Sequence, residues 1–572
     1  MKRYAADLIC DTLKNLGVTT VFGMAGSQNL PLFEALRTSG LRTIASTSEL
    51  AASFAANGYY RASGKVGVLA TIPGPGFMLS LNGITEARLD SAGILLITSS
   101  ATGESARKFQ HQQIDLNGIA GHLFKQVYDV ERIDDLVPAI VGAYQSAICD
   151  EPGPVMVHLR RTVYGQFADV SSNLGPSVAK DKDSKYAHEV SRLLSNAKRP
   201  LIFVGQGCAT NPSGLRRLAE RINAPVMSTC SGRGILPENH PLSLVYDYGL
   251  GGGNEVNACI ESCDLVLALG CKFSHNGSGG FRLKIDQDKL VHVDASEEVV
   301  GANYPPRIGI IGDVGCFIES ILEMLKPEIA ASEWTQPDIQ VWRERLKVER
   351  NRLLNQLPSI QGNMPISFES FFSDLRKALP ADACLVTDSG YHQMITRQLF
   401  SVENARGLIV PTDFQSMGFG IPAAIGAAIA APHRKVVAIV GDGGMAITGM
   451  ELLTAVREGI ELVVIVFNDG YLGLIRRGQI ESYGKEHAVA LQNPDFSLLA
   501  NAIGANYFAL DDSPSAVLEQ CLNTPGVNIL EVCLKDAPTM LRTRFKKVAQ
   551  NAFRKSVPPV LWGRIKKLLR RT

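Results

Sequence analysis

A carboxylate set inside a glycine turn repels a phosphate unless a cation stands between them. Gly441-Asp442-Gly443 poses that problem, and Asn468, after twenty-four intervening residues, offers the carboxylate a partner. Asp442, the amide oxygen of Asn468 and a backbone carbonyl, that of Gly470, make a set of hard oxygens. Mg²⁺ takes such ligands and fills its octahedron with diphosphate oxygens and water. A second reading competes. Gly441-x-Gly443-x-x-Ala446, with Glu461 twenty residues beyond Gly441, also matches the dinucleotide fingerprint. Asp442 would then face a pyrophosphate directly, and the next strand ends in Asn468-Asp469-Gly470 rather than in an acid placed for a ribose. A metal-bridged diphosphate removes the conflict and is the favoured reading. The other glycine pair, Gly205-Gln206-Gly207, is a lone G-x-G.

A second carboxylate stands out by its surroundings. Glu49 opens Leu50-Ala51-Ala52-Ser53-Phe54-Ala55-Ala56, which reads as a tightly packed helix. Ser46-x-x-Glu49 fits a capping box, in which a serine caps the helix and a glutamate reaches back to its amide. A role in chemistry is the alternative, and it needs a ligand to meet.

The elements that must position these groups are legible as alternating β-branched runs and alanine-rich stretches. "KVGVLATIPGPG", "GILLITSS", "RPLIFVGQG", "CDLVLALG", "RKVVAIVGDGG" and "ELVVIVFND" read as buried parallel strands, which places the chain in the α/β class. A strand ending at Val440, a turn at 441–443, a helix over about 448–458 and a strand at 462–467 would carry Asp442 and Asn468 at adjacent strand ends. That is where α/β sheets bind ligands. A polar stretch near 171–186 and "NQLPSIQGNMP" separate three blocks, 1–170, 186–335 and 365–540, followed by a tail, 541–572.

At 572 residues the chain is long enough for about three or four cores. No apolar run reaches the roughly 18 residues that would span a bilayer. The eleven cysteines are scattered, with Cys259 and Cys263 the only close pair, and no export signal opens the chain. A reducing, cytoplasmic setting is expected. The net charge of +1 conceals an asymmetry. Arg542 to Arg571 supply eleven lysines and arginines with no acid after Asp536, so the body carries −10. "VPPVLWGRIKKLLRRT" sets Leu561, Ile565, Leu568 and Leu569 on one helical face and basic residues mostly opposite. Such a tail suits docking on the acidic body or a partner subunit, or peripheral contact with an anionic membrane. Nothing else in the chain supports nucleic-acid binding.

Gly441-Asp442-Gly443…Asn468 resembles the signature of thiamine diphosphate (ThDP) enzymes, and the match runs from about residue 4 to 535. The acetolactate synthase-like branch is the one resembled. "GMAG" at 23–26, Glu49-x-x-Ala52-x-x-x-Ala56-x-Gly58-Tyr59-x-Arg61, "GPG" at 74–76, "TEARLDS" at 85–91, "GRGILPENHP" at 232–241, "TDSGYHQM" at 387–394 and "SMGFGIPAAIGA" at 416–427 fall in the family's order. The resemblance implies three parallel-sheet α/β domains, pyrimidine-binding, central and diphosphate-binding. It implies a homodimer or homotetramer, with each site formed between the first domain of one subunit and the third of its partner.

The resemblance also implies roles. Glu49 matches the glutamate that contacts N1′ of the aminopyrimidine, and Met417 the bulky residue that bends the cofactor. Ser389, Tyr391 and His392, with Gly441, Gly443 and Gly444, lie where the family touches the diphosphate; Asp442, Asn468 and Gly470 match its metal ligands. Gln112 falls at a glutamine near the reacting carbon, with His111 and Gln113 as neighbouring candidates, and Gln28 lies in a loop facing substrate. The implied reaction is decarboxylation of a small 2-oxo acid, such as pyruvate, with transfer of the acyl carbanion to an acceptor. A lyase or decarboxylase releasing an aldehyde, or a non-catalytic subunit, are the alternatives. Some residues depart from the pattern. Ser48 precedes the glutamate where histidine is common, and Ala25 replaces the loop's usual proline. "GCKFSHNGSG" stands where members that bind FAD as an additional cofactor carry an arginine and paired aspartates.

Overall fold

Strands buried on both faces need helices on both sides, and the chain meets that need three times. The structure is a computed structural model that describes residues 2–101, 109–169, 184–247, 253–325, 332–354, 366–510 and 513–534. The expected polar linker near 171–186 falls largely outside these residues, and the stretch 355–365 and the basic tail 541–572 fall wholly outside them.

Each unit holds a six-stranded, fully parallel sheet. The first runs Arg42–Ala45, Thr20–Gly23, Gly67–Ala70, Ile94–Ser99, Pro154–Leu159, Gln126–Val130 from edge to edge. The third runs Leu408–Ile409, Cys384–Thr387, Val436–Gly441, Leu462–Asn468, Val527–Cys533, Asn506–Ala509. Numbered within each unit, both orders are 2-1-3-4-6-5, so the first and third units are copies of one topology. The middle sheet instead has the order 3-2-1-4-5-6, the doubly wound arrangement of dinucleotide-binding domains. Its switch point lies between Pro200–Val204 and Leu265–Leu269, directly below Gly205-Gln206-Gly207.

The first and third units meet through two helices of small residues, Glu49–Ser63 and Gly420–Ala430. A Cβ on Gly58 would lie 2.0 Å from the Ala423 carbonyl oxygen, and one on Gly426 1.9 Å from that of Ala55. Phe54 and Phe419 close the contact edge to face at 5.4 Å. Gly58→Ala improves helix propensity but drives its methyl into main chain that cannot swing away. Overpacking should win, lowering stability by about 1–3 kcal/mol. Scanning calorimetry checks this, and an unchanged Tm would refute the close contact.

Buried ion pairs bind the units further. Within "GRGILPENHP", Arg233 pairs with Glu238 at 2.6 Å and donates to the carbonyls of Arg397 and Phe400. Arg397 forms a two-pronged pair with Asp247, and Arg61 bridges Asp90 to the Val410 carbonyl. No described helix is long and apolar enough to cross a membrane.

Candidate active site

The central strand Val436–Gly441 delivers Asp442 at its carboxyl end, and Leu462–Asn468 beside it delivers Asn468. The expected turn at 441–443 is absent. A helix begins at Asp442 itself and runs to Thr448, followed by a 3-10 turn Gly449–Glu451 and a short helix Leu452–Arg457, in place of one helix over 448–458. Gly443 and Gly444 have no left-handed φ; they are needed for close approach. A Cβ on Gly443 would sit 3.0 Å from Met417 Cε, and one on Gly444 2.7 Å from Asp388 Oδ2.

The oxygens of Asp442 and Asn468 converge. The Asn493 side-chain nitrogen donates to Asp442 Oδ2 at 2.6 Å and to Asn468 Oδ1 at 2.9 Å, so a partial positive charge already bridges the two. Gly470, at φ +74°, donates its N–H to the same Asp442 oxygen at 2.9 Å. Burial raises the Asp442 carboxyl above its ordinary range, a penalty that a divalent cation would remove. Among the described residues no three His, Cys, Asp or Glu side chains gather to hold a metal. The set that fits Mg²⁺ is therefore one carboxylate with amide and carbonyl oxygens.

His392 lies against the junction of this strand and helix, 3.1 Å from the position of a Cβ on Gly441. Burial pushes its imidazole down to about 4, so it is neutral at pH 7, and its enclosed Nε2 has no hydrogen-bond partner among the described residues. A buried orphan nitrogen beside a glycine turn is the kind of group that a diphosphate would satisfy. Tyr391 packs by Gly473, and the Ser389 amide donates to Asp388 at 2.7 Å. Met417, partly exposed, completes this cluster on the third unit.

Glu49 belongs to a second cluster, on the first unit. Ser48, not Ser46, caps its helix by accepting from the Ala51 amide, so Glu49 is the first helical residue and not the third. The capping box is thus replaced by a serine one residue upstream of the carboxylate. Glu49 is buried, with no hydrogen-bond or ion-pair partner among the described residues. Its Oε1 fills the space a Cβ on Gly76 would need, at 2.5 Å. Gln112, at φ +59°, packs its carbonyl on Gly74 and accepts from the buried Gln28 side chain. No hydrogen bond among the described residues joins this cluster to Asp442 or Asn468. Asn493, which ties these segments together, carries no local pattern that marks it; Asp388 and Glu86 fall within "TDSGYHQM" and "TEARLDS", where nothing in the sequence says which groups they bind.

The comparisons with known proteins agree in order with the three units. Family models of thiamine pyrophosphate enzymes match as the N-terminal TPP binding domain over residues 3–119, the central domain over 187–321 and the C-terminal TPP binding domain over 388–532. A probable acetolactate synthase large subunit of Methanocaldococcus jannaschii is 30% identical over 556 residues, covering 94% of this chain and 92% of that one. The acetolactate synthase large subunit of Lactococcus lactis is 30% identical over 554 residues, 95% and 92% of the two chains. This chain belongs to the acetolactate synthase-like ThDP enzymes. The isozyme 1 large subunit of Escherichia coli is 28% identical over 543 residues, 93% and 94% of the two chains. For a member of this family, the dinucleotide alternative at Gly441 gives way to ThDP.

A cavity of about 260 Å³ opens at the switch point of the central sheet. That is below the usual 300–1,000 Å³ of ligand pockets. Asp90, Glu151, Asp294 and Asp413 line it, with Lys272 and Arg406 as counter-charges. Lys272 is committed to Glu151 at 2.6 Å and to the Leu89 carbonyl, and Arg406 to the carbonyls of Tyr60 and Arg61. Among the described residues, this lining sets several carboxylates against two basic side chains that already hold partners, and it shows no seat for a flavin diphosphate.

Proposed function

We propose that this enzyme decarboxylates pyruvate and joins the resulting two-carbon unit to an acceptor carbonyl, using ThDP and Mg²⁺ and without FAD. Bound ThDP supplies the nucleophilic carbon and the electron sink for CO₂ loss. Asp442, Asn468 and the Gly470 carbonyl hold the cation. Gly441, Gly443 and Gly444 let the diphosphate approach the main chain, with Ser389, Tyr391 and the neutral His392 around it. Met417 would support the ring system of the bound cofactor. Glu49 holds and returns a proton at N1′ of the pyrimidine. Gln28 and Gln112 orient the carboxylate or carbonyl of the 2-oxo acid.

The observation that carries this reading is the pair of half-sites, each incomplete, on two units of one topology. Glu49 is a buried carboxylate without a partner, and the Asp442 cluster holds a cradle without a base. A homodimer that sets the first unit of one copy against the third unit of the other completes both sites. Exposed apolar residues near each half support a second copy as the occupant. Met78 and Leu79 follow Gly76 on its helix, and Ile447 and Met450 follow Gly444. Each is about half exposed, an arrangement that favours burial against a partner. Domain extents of 1–170, 186–335 and 365–540 fit this division. The free state of all eleven cysteines suits a reducing cytoplasm.

Product analysis tests the reaction. Pyruvate alone should give CO₂ and acetolactate, and an added aldehyde or 2-oxo acid should give the mixed product. Release of free acetaldehyde without any coupled product would instead establish a decarboxylase.

A further inference from the structure

Met417 reaches Gly443, together with Leu472 and Leu491, from a loop whose backbone is held largely by groups outside it. Gln415 at φ +63° and Gly418 at φ +85° flank Ser416-Met417 on both sides. A non-glycine residue in the left-handed region persists only where its surroundings enforce it. Two carboxylates provide that enforcement, and both are fully buried at 0% exposure.

Glu86, on the first-unit helix Pro75–Leu89, accepts the Ser416 N–H at 2.9 Å, and Asn82 from the same helix meets the Ser416 hydroxyl. Asp388, in the third unit, accepts the Gly418 N–H on both its oxygens at 3.0 Å and the Gly420 N–H at 3.0 Å. The same Asp388 oxygen occupies the space beside Gly444, so one carboxylate sets the loop's height relative to the diphosphate turn. The first turn of the Glu86 helix, which starts at Pro75, includes Gly76, the glycine that meets Glu49. A single rigid element thus spans from the first half-site to the loop of the second.

We propose that Glu86 and Asp388 are positioning residues, gripping the main chain on either side of Met417 and fixing its side chain over the Gly443 turn. The proposal rests on the reading of Met417 as the support of the cofactor ring. Burial, reinforced by the charge of Asp90, pushes the Glu86 carboxyl up to about 8, so it is largely protonated at pH 7. It acts as a neutral acceptor, which a glutamine can replace. Asp388 needs both oxygens as acceptors, which asparagine cannot supply.

The test uses Glu86→Leu, Glu86→Gln and Asp388→Asn, each alone and combined with Met417→Ala, in the full chain. Methyl resonances of ¹³C-methionine-labelled, cofactor-free protein report the Met417 side chain, assigned by its loss in Met417→Ala. Glu86→Leu and Asp388→Asn should shift or broaden that resonance and lower kcat about tenfold, with KM for pyruvate held within about threefold. Neither should slow Met417→Ala further, because residues acting through one group are not additive. Glu86→Gln should stay within about twofold of the parent. An unmoved resonance, or losses that add in the double variants, would overturn the proposal. Should Asp388→Asn fail to fold, Glu86→Leu against Glu86→Gln decides it alone. A normal kcat in Met417→Ala would instead refute the role of Met417, and the proposal with it.

Discussion

Glu49→Gln is expected to fold, to bind ThDP with Mg²⁺, and to lose 10²–10⁴-fold in turnover, the usual cost of removing acid–base assistance. The structure separates the fold from the chemistry at this position. The helix is capped by Ser48, so the carboxylate is not required to start it. Glutamine has the same shape and fills the hollow left by Gly76. The favourable interaction of a negative charge with the helix N-terminus is lost, at a cost of about 0.3–1 kcal/mol. What glutamine cannot do is share a proton with N1′ of the pyrimidine. Exchange of the thiazolium C2 proton, followed by NMR in bound cofactor, isolates that step from substrate binding. Parent-like exchange in the variant would remove Glu49 from the mechanism.

Asp442→Asn should act on binding instead. Losing even an outer partner of a metal ligand typically costs 10–100-fold in affinity. Removing the single carboxylate of the set should therefore weaken Mg²⁺-dependent ThDP binding by more than about 100-fold. Cofactor-free protein should change little, because asparagine escapes the burial penalty on a charged Asp442 while giving up one of its acceptor oxygens. The two effects separate in one thermal-shift experiment. ThDP with Mg²⁺ should raise the parent's Tm, as any ligand of the native state does, and leave the variant's unchanged. An equal rise in both would show that the cation is held elsewhere. Glu49→Gln serves as the internal control, since it should keep the full rise.

The amino-acid order alone determined the α/β class, the sequence of three units, and the pairing of Gly441-Asp442-Gly443 with Asn468. These are properties of short windows: a buried parallel strand is a continuous apolar run, and a glycine turn is contiguous. Glu49 was legible for the same reason, as an acid at the mouth of a run of small residues. Even there the local rule chose the wrong serine: only Ser46 has a glutamate three residues on, yet Ser48, extended at φ −155° and ψ 156°, is the one whose side chain caps.

Tertiary structure decided what depends on separation along the chain. The glycines at 443 and 444 are required by Met417 and Asp388, which approach from about 26 and 56 residues away, not by a turn of their own. The lone Gly205-Gln206-Gly207 gained meaning only from a strand order that no window contains, which sets it at the switch point of the central sheet. Asn493 is an ordinary residue in sequence, and Glu86 and Asp388 lie in family-like stretches that assign them no role. Their importance lies in which oxygens and amides they meet, and a one-dimensional pattern carries propensity and periodicity but not the distance between its parts.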